Sequence, residues 1–278
     1  MTVQEALHQF TQSLQSAGIG TARLDVLVLM EDITGLNKAQ LLARPELNLT
    51  SSHLHALKHQ INLRSRQLPL AYVRGKTEFY GHDFQIDQRV LEPRPESEAM
   101  IEELNRIISG HGIDNVIEIG TGSGALIIAA KLANPSVQAY ATDISRDCLQ
   151  VARLNRQRYN LDIPFFLGDL LNALPDKVWQ TKTALIANLP YVPEDWQINP
   201  PAQREPSIAI FGGKDGLKYY RRLFQQIASL TVKPLFVLTE AMPPQHQQLA
   251  SIAKRHNYKL KTINDFIQVF NYSAQRPA

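Results

Sequence analysis

Two short stretches of the 278-residue chain hold groups whose types and spacing could do chemistry. The first is Glu118-Ile119-Gly120-Thr121-Gly122-Ser123-Gly124, where an apolar run ends in alternating glycines and a helical pattern follows at once. Glycines let the backbone turn tightly and approach a ligand, and a helix start offers N–H donors without intrahelical partners. In an open α/β sheet a ligand sits at the carboxyl ends of the strands, so this loop marks the site. Gly120, Gly122 and Ala125 satisfy the dinucleotide spacing G-x-G-x-x-[GA], which admits a nicotinamide cofactor. Glu118 and Gly124 favour S-adenosylmethionine instead, whose loop begins with an acidic residue and meets no pyrophosphate. Asp143, about 20 residues on, offers the carboxylate that either cofactor needs for its ribose hydroxyls. A tight strand-to-helix turn with no ligand is the third reading.

The second stretch is Asn188-Leu189-Pro190-Tyr191, after the apolar run Ala184–Ala187. In isolation it would be a proline turn. In register after the glycine loop and Asp143 it resembles the signature of methyltransferases acting on amide or exocyclic nitrogens, which selects S-adenosylmethionine. An amide nitrogen is a poor nucleophile because its lone pair is delocalised, so the main task is to aim it. The Asn188 side-chain oxygen can accept one N–H and the Leu189 carbonyl the other, a preorganised pair that takes up positive charge as it develops. Tyr191 would pack on the flat amide and exclude water, and Pro190 confines Leu189 to extended conformations. No general base is required. An N6-adenine methyltransferase acting on RNA or DNA needs similar acceptors and is the rival reading; a non-catalytic cofactor-binding adaptor is a further one.

These motifs need a frame, and the patterning supplies one. Residues 1 to about 70 read as amphipathic helices, with Val3, Ala6, Leu7, Phe10 and Leu14 at helical spacing, and the pattern stops at Gly18 and Gly20. A second helix ends at Gly35, and Thr50, Ser51 and Ser52 offer caps for a third, with Leu54, Leu57 and Ile61 on one face. His8, His53, His55 and His59 are read as solvent-facing. The stretch 71–95 carries β-formers around Gly81-His82 and predicts a hairpin connector, with Phe79 packing its core or facing the substrate side. From 96 to 278 short apolar runs at Val116–Ile119, Val137–Asp143, Phe165–Asp169, Thr183–Ala187 and Pro234–Glu240 alternate with helical segments. That alternation predicts a mainly parallel sheet covered on both faces. The tail 258–273 has no helix between its β-rich halves and should close the sheet with antiparallel strands.

Arg94-Pro95-Glu96-Ser97-Glu98, the glycine loop, Asn188-Leu189-Pro190-Tyr191, Glu205-Pro206 and Gly212-Gly213-Lys214-Asp215-Gly216 together resemble the peptide chain release factor glutamine methyltransferases. The resemblance runs along most of the chain. It implies the class I methyltransferase fold: a doubly wound, mainly parallel seven-stranded α/β sheet preceded by a small helical domain and a β-hairpin connector. It implies methyl transfer from S-adenosylmethionine to the side-chain amide nitrogen of the glutamine in a release factor's Gly-Gly-Gln loop. By the same resemblance Asn188, Pro190 and Tyr191 are catalytic, and Asn188, Leu189, Pro190, Tyr191, Arg94 and Glu205 meet the substrate. Glu118, Gly120, Thr121, Gly122, Ser123, Gly124, Asp143, Asp169, Leu170 and Asn188 meet the cofactor, with Asp169 near the adenine amino group and Leu170 on its face. No metal is expected. The chain departs from the family in three places. Leu189 stands where proline is usual, and Leu170 stands where an aromatic is common. The prolines of Thr239-Glu240-Ala241-Met242-Pro243-Pro244-Gln245 re-route that loop, so nothing catalytic is carried over to it.

Composition bounds the rest. Hydrophobic residues at 44% and charged residues at 20% are an ordinary globular balance that argues against wholesale disorder. The formal net charge of +3 is too small to demand a nucleic-acid partner, and the basic residues are scattered among acids. A dense basic domain would suit an RNA enzyme better. The lone Cys148 excludes an internal disulfide and a Cys-rich zinc site, and is read as a packing residue. With no visible signal peptide and no apolar run of membrane length, a cytoplasmic protein is expected. The helical domain is expected to grip the protein substrate, and the enzyme to act as a monomer.

Overall fold

The computed structural model describes residues 1–273, so positions 274–278 of the expected methyltransferase domain lie outside the described residues. The chain divides into two compact units. The smaller comprises Met1–Lys76 with Ile198–Arg204, and the larger comprises Thr77–Gln197 with the chain from Glu205 onward.

The smaller unit is helical: α1 (Val3–Ser16), α2 (Ala22–Thr34), α3 (Lys38–Leu42), α4 (Ser51–Ser65) and α5 (Leu70–Arg74). Thr2 and Glu5 form a reciprocal capping box at the start of α1. Val3, Ala6, Phe10 and Leu14 are buried at helical spacing and pack with Val26, Leu29, Met30, Leu41, Leu57 and Ile61. Leu7 and Leu54 are only partly buried at the edge of that core. Gly35 ends α2 in the left-handed conformation, and the Thr50 hydroxyl caps α4 by accepting the His53 N–H. The five-residue α3 and α5 were not expected, because one and a half turns carry no readable period. His8, His55 and His59 are exposed and His53 is half-buried. Inside the unit a buried ion pair joins Asp25 to Arg64 at 2.7 Å.

The larger unit opens within a hairpin of β1 (Lys76–Phe79), whose first residue ends the smaller unit, and β2 (His82–Gln85). Tyr80 and Gly81 both have positive φ, the two-residue geometry that matches strand twist. The turn thus falls one residue before the expected Gly81-His82. Phe79 and Phe84 are buried edge to face with ring centroids 6.3 Å apart, so Phe79 is a core residue. The remaining elements are α6 (Glu98–His111), β3 (Asn115–Ile119), α7 (Ala125–Ala133), β4 (Gln138–Asp143), α8 (Arg146–Arg158), β5 (Phe165–Leu167), β6 (Thr183–Ala187), α9 (Lys218–Ser229), β7 (Phe236–Glu240), α10 (His246–Arg255), β8 (Tyr258–Asn264) and β9 (Ile267–Tyr272).

Seven strands form one sheet in the order β5-β4-β3-β6-β7-β9-β8. The first five are parallel, and β9 inserts antiparallel between β7 and β8, as the tail's lack of a helix predicted. Every residue of β3, β6 and β7 is buried, with a separate apolar core on each face of the sheet. The chain leaves β3 toward β4 and β5 and returns on its other side as β6, so the strand order reverses between β3 and β6. Ile119 pairs with Ala187 in register across that switch point. The two chemistry-bearing turns, at Gly120 and Asn188, therefore emerge side by side at the carboxyl ends of adjacent strands, where ligands bind in such sheets.

Candidate active site

A cleft opens above the switch point, lined by Gly120, Gly122, Asp143, Gly168, Asp169, Leu170, Asn188, Leu189 and Pro190. A second cavity adjoins it through Gly120, Gly122 and Asn188 and is lined by Glu118, Thr121, Ser123, Arg94 and Ser97. All of the expected cofactor residues except Gly124 line one or the other. Gly124 lies behind, where an added Cβ would come within 3.2 Å of Ala152 and Ile128, so its bare backbone lets α7 pack on α8. Gly120 has φ +74°, and a Cβ there would meet Leu189 Cδ2 at 3.0 Å, closing the gap between the two turns.

Asn155, fully buried in α8, braces the loop: its Nδ2 donates to the carbonyls of Ser123 and Gln85, and its Oδ1 accepts the Gln85 N–H. The Asp143 carboxylate accepts the backbone N–H of Gly122 at 2.9 Å and of Ser145 at 2.8 Å. Burial raises the Asp143 pKa and those two N–H groups pull it back. Glu118 accepts the Thr121 hydroxyl and, at 3.3 Å, the Ile127 N–H, and complete burial pushes its carboxyl up to about 8. Burial pushes the Cys148 thiol up to about 11, and its Sγ contacts the Arg89 carbonyl at 3.2 Å. Such a thiol is inert. Leu170 takes a positive φ of 55°, held by the Thr142 hydroxyl on its carbonyl, which puts its side chain in the cleft wall. The fit to an adenosyl ligand follows from this donor set: a carboxylate with lone pairs to spare, a glycine backbone, and apolar walls at Leu170, Leu189, Ile144 and Ile208. Asp169 lines the cleft, but its carboxylate pairs with Arg222 of α9.

The Asn188 turn is held from behind by residues that the sequence did not single out. Tyr220 of α9 is fully buried, and its hydroxyl accepts the Leu189 N–H at 3.2 Å and reaches the carbonyls of Ala187 and Glu240. Glu240, at the end of β7, is 1% exposed and accepts the hydroxyls of Ser97 at 2.5 Å and Tyr191 at 3.0 Å. Asn188 Nδ2 donates to Ser97 Oγ at 3.0 Å. Burial and the nearby Glu240 hold the Tyr191 phenol far above its ordinary range, so it stays a donor. The loop 239–245, set aside because of its prolines, thus ends β7 on the group that anchors Asn188 and Tyr191. Its Gln245 also donates to the carbonyls of Tyr191 and Asp215.

The Gly212–Gly216 loop lies backbone to backbone against the same turn. A Cβ at Gly212 would stand 2.2 Å from the Pro190 carbonyl oxygen, and one at Gly216 would stand 2.0 Å from that of Tyr191. Arg94 and Glu205, both expected to meet the substrate, pair with each other, and Glu205 also accepts the Glu92 N–H. Burial raises the Glu205 pKa and the Arg94 guanidinium opposes that rise. Among the described residues no donor reaches Asn188 Oδ1 or the Leu189 carbonyl. Among them, too, no cluster of three His, Cys, Asp or Glu residues could hold a metal, and no helix is long and apolar enough to cross a membrane.

Known proteins share this plan. Residues 5–75 match the PrmC N-terminal domain and residues 111–189 a methyltransferase domain. The chain is 31% identical over 246 residues to the release factor glutamine methyltransferase of Bacillus subtilis, covering 86% of this chain and 84% of that one. It is also 31% identical to that of Deinococcus radiodurans, covering 90% of each. Among solved structures, the hMettl16 catalytic domain in complex with a 3′UTR hairpin superposes with a TM-score of 0.57 over 90% of this chain and 91% of that one, at 16% identity. That last likeness is one of fold.

Proposed function

The chain belongs to the release factor glutamine methyltransferases, and from that membership we propose how its own residues serve the reaction. The protein is an S-adenosylmethionine-dependent methyltransferase that modifies a glutamine of peptide chain release factors. We take the acceptor to be the side-chain amide nitrogen of the Gly-Gly-Gln loop. Bound S-adenosylmethionine supplies an electrophilic methyl group on a sulfonium.

The protein's task is to present the nitrogen. Asn188 Oδ1 and the Leu189 carbonyl are two acceptors without partners among the described residues; Asn188 lines both cavities and Leu189 the first. Each takes one N–H of the substrate carboxamide, which fixes the nitrogen and stabilises the charge that grows on it. Pro190 keeps Leu189 extended, so a carbonyl from leucine serves as one from proline would. Tyr191, tethered at its hydroxyl by Glu240, walls the amide away from water. Asp143 and the loop from Gly120 to Gly124, with Glu118 beneath it, are assigned to the ribose and methionine parts of the cofactor. Leu170 and Asp169 are assigned to the adenine. Arg94 and Glu205 shape the substrate entrance as a pair.

The observation that carries this reading is the register of Ile119 with Ala187, which sets the cofactor loop beside the Asn188 turn. We take the enzyme to act as a monomer, and a release-factor substrate supports a cytoplasmic location. We assign the helical unit to gripping the release factor away from its glutamine.

The test offers purified release factors, ribosomal RNA and DNA with labelled S-adenosylmethionine and locates the label by mass. Label on the release-factor glutamine supports the assignment, and label only on nucleic acid overturns it. Asn188→Ala should lower kcat by roughly 10²–10³-fold while cofactor binding persists. Near-native turnover would reject the role given to Asn188.

A further inference from the structure

Ser97 ends a 3-10 turn that runs straight into α6, with helical φ −70° and ψ −15°, so its hydroxyl is not used as a helix cap. Its Oγ lies 2.5 Å from Glu240 Oε2 and 3.0 Å from Asn188 Nδ2. Ser97 and Glu240 are each 1% exposed, so solvent does not substitute for these partners.

We propose that Glu240 and Ser97 are positioning residues that set which way the Asn188 carboxamide faces, so that its oxygen and not its nitrogen is presented to the substrate. The inference deepens the reading of Asn188 as an acceptor and rests on it. A carboxylate only accepts, so its two oxygens take the protons of Ser97 and Tyr191. The single proton of the Ser97 hydroxyl is thereby committed, and toward Asn188 that oxygen can only accept. It selects the amide nitrogen. A flipped carboxamide would set two acceptors face to face inside the fold, an arrangement that costs about as much as a lost buried hydrogen bond. The other end of the carboxamide, Oδ1, is left facing the cavities that Asn188 lines.

The direction of the chain depends on the ionisation of Glu240. Once protonated, the carboxyl can donate to Ser97, the serine proton becomes free to turn toward Asn188, and the carboxamide loses its preference. The groups around the carboxylate are Ser97 and Glu96 before α6, Asn188 and Tyr191 after β6, and Tyr220 of α9 on its backbone carbonyl. Arg94 acts on Tyr191, and His246 of α10 binds the next carbonyl, that of Ala241. Burial and Glu96 raise the Glu240 pKa, and the hydrogen bonds from Ser97 and Tyr191, with the nearby Asn188 amide, lower it. An acid limb in turnover is the consequence.

The test is the pH profile of kcat on a release factor, with the affinity for S-adenosylmethionine measured by calorimetry in the same preparations. The intact enzyme should lose kcat toward acid pH as Glu240 takes up its proton. Glu240→Gln replaces one acceptor with a donor, and should lower kcat by about 10²-fold and abolish that limb with cofactor affinity unchanged. Ser97→Ala cuts the link while shrinking the side chain, and should do the same, which keeps the test decisive if Glu240→Gln does not fold. Wild-type kcat with an intact acid limb in Ser97→Ala overturns the proposal. So does a parallel loss of cofactor affinity, which marks a merely structural role. Asn188→Ala in the same assay separates the two levels. If it is active, the acceptor reading fails; if it is inactive while both other variants match the wild type, only the positioning roles fail.

Discussion

The Tyr220 hydroxyl lies 3.2 Å from the Leu189 nitrogen and accepts its proton from behind the turn that carries Asn188. The same oxygen reaches the carbonyls of Ala187 and Glu240, so one side chain of α9 ties the end of β6 to the end of β7. Tyr220→Phe keeps the ring in its pocket and removes only this tie. An orphaned buried N–H or C=O costs about 1–3 kcal/mol, so the unfolding free energy should fall by that amount in chemical denaturation. Turnover should fall as well, because the Leu189 peptide is no longer pinned, while calorimetry should show intact cofactor binding.

Gly216 has φ +74° and its missing side chain makes room for the Tyr191 carbonyl at 2.0 Å from where a Cβ would be. Gly216→Ala must push both that backbone and the Gln245 amide, 2.2 Å from the same point, aside. Overpacking of this kind costs about 1–3 kcal/mol, and a residue with a Cβ in the left-handed region adds roughly another 1–2. A lower denaturation midpoint should accompany a raised KM for the release factor if Tyr191 walls the substrate amide as proposed. An unchanged midpoint would mean that the loop has slack the packing does not show.

Glu118 offers a pH handle on stability. Burial pushes its carboxyl up to about 8 in the folded protein, above the ordinary 4.5. Between these values the unfolded chain has released the proton and the folded chain still holds it, so stability falls as pH rises. The contribution is fully present below about 4.5 and gone above about 8. It amounts to something on the order of a few kcal/mol. Glu118→Gln, which keeps the shape without the ionisation, should flatten the decline of the cofactor-free protein's unfolding free energy across that window. Equal slopes in both proteins would place the proton elsewhere.

From Leu47 to Gly75 the chain has no Asp or Glu, α4 exposes His55, Lys58 and His59, and Arg66 is exposed just after its end. If the helical unit grips the release factor, reversing Lys58 and Arg66 to Glu should raise KM for the intact factor, more so at low ionic strength. A short peptide containing Gly-Gly-Gln should be methylated as before. Equal effects on both substrates would detach α4 from substrate recognition.

What the sequence determined by itself was local or periodic. The alternation of apolar runs and helices announced the sheet, the tail without a helix announced its antiparallel edge, and the glycine loop with Asp143 and Asn188-Leu189-Pro190-Tyr191 marked the two turns that the sheet sets side by side. These features are written in neighbouring residues, where spacing alone constrains geometry. Glu240 could not be read this way. Ser97, Asn188 and Glu240 are far apart in the chain, and only the order in which β3, β6 and β7 lie side by side makes one hydrogen-bonded chain of them. The prolines that follow Glu240 misdirected the reading because they report on the loop, whereas the carboxylate's position is decided by the strand before it. Tyr220 and Asn155 likewise look like ordinary helix residues until the sheet brings buried backbone groups to their polar atoms. A side chain's partners across the fold are set by packing, and packing is fixed only once the whole sheet has closed.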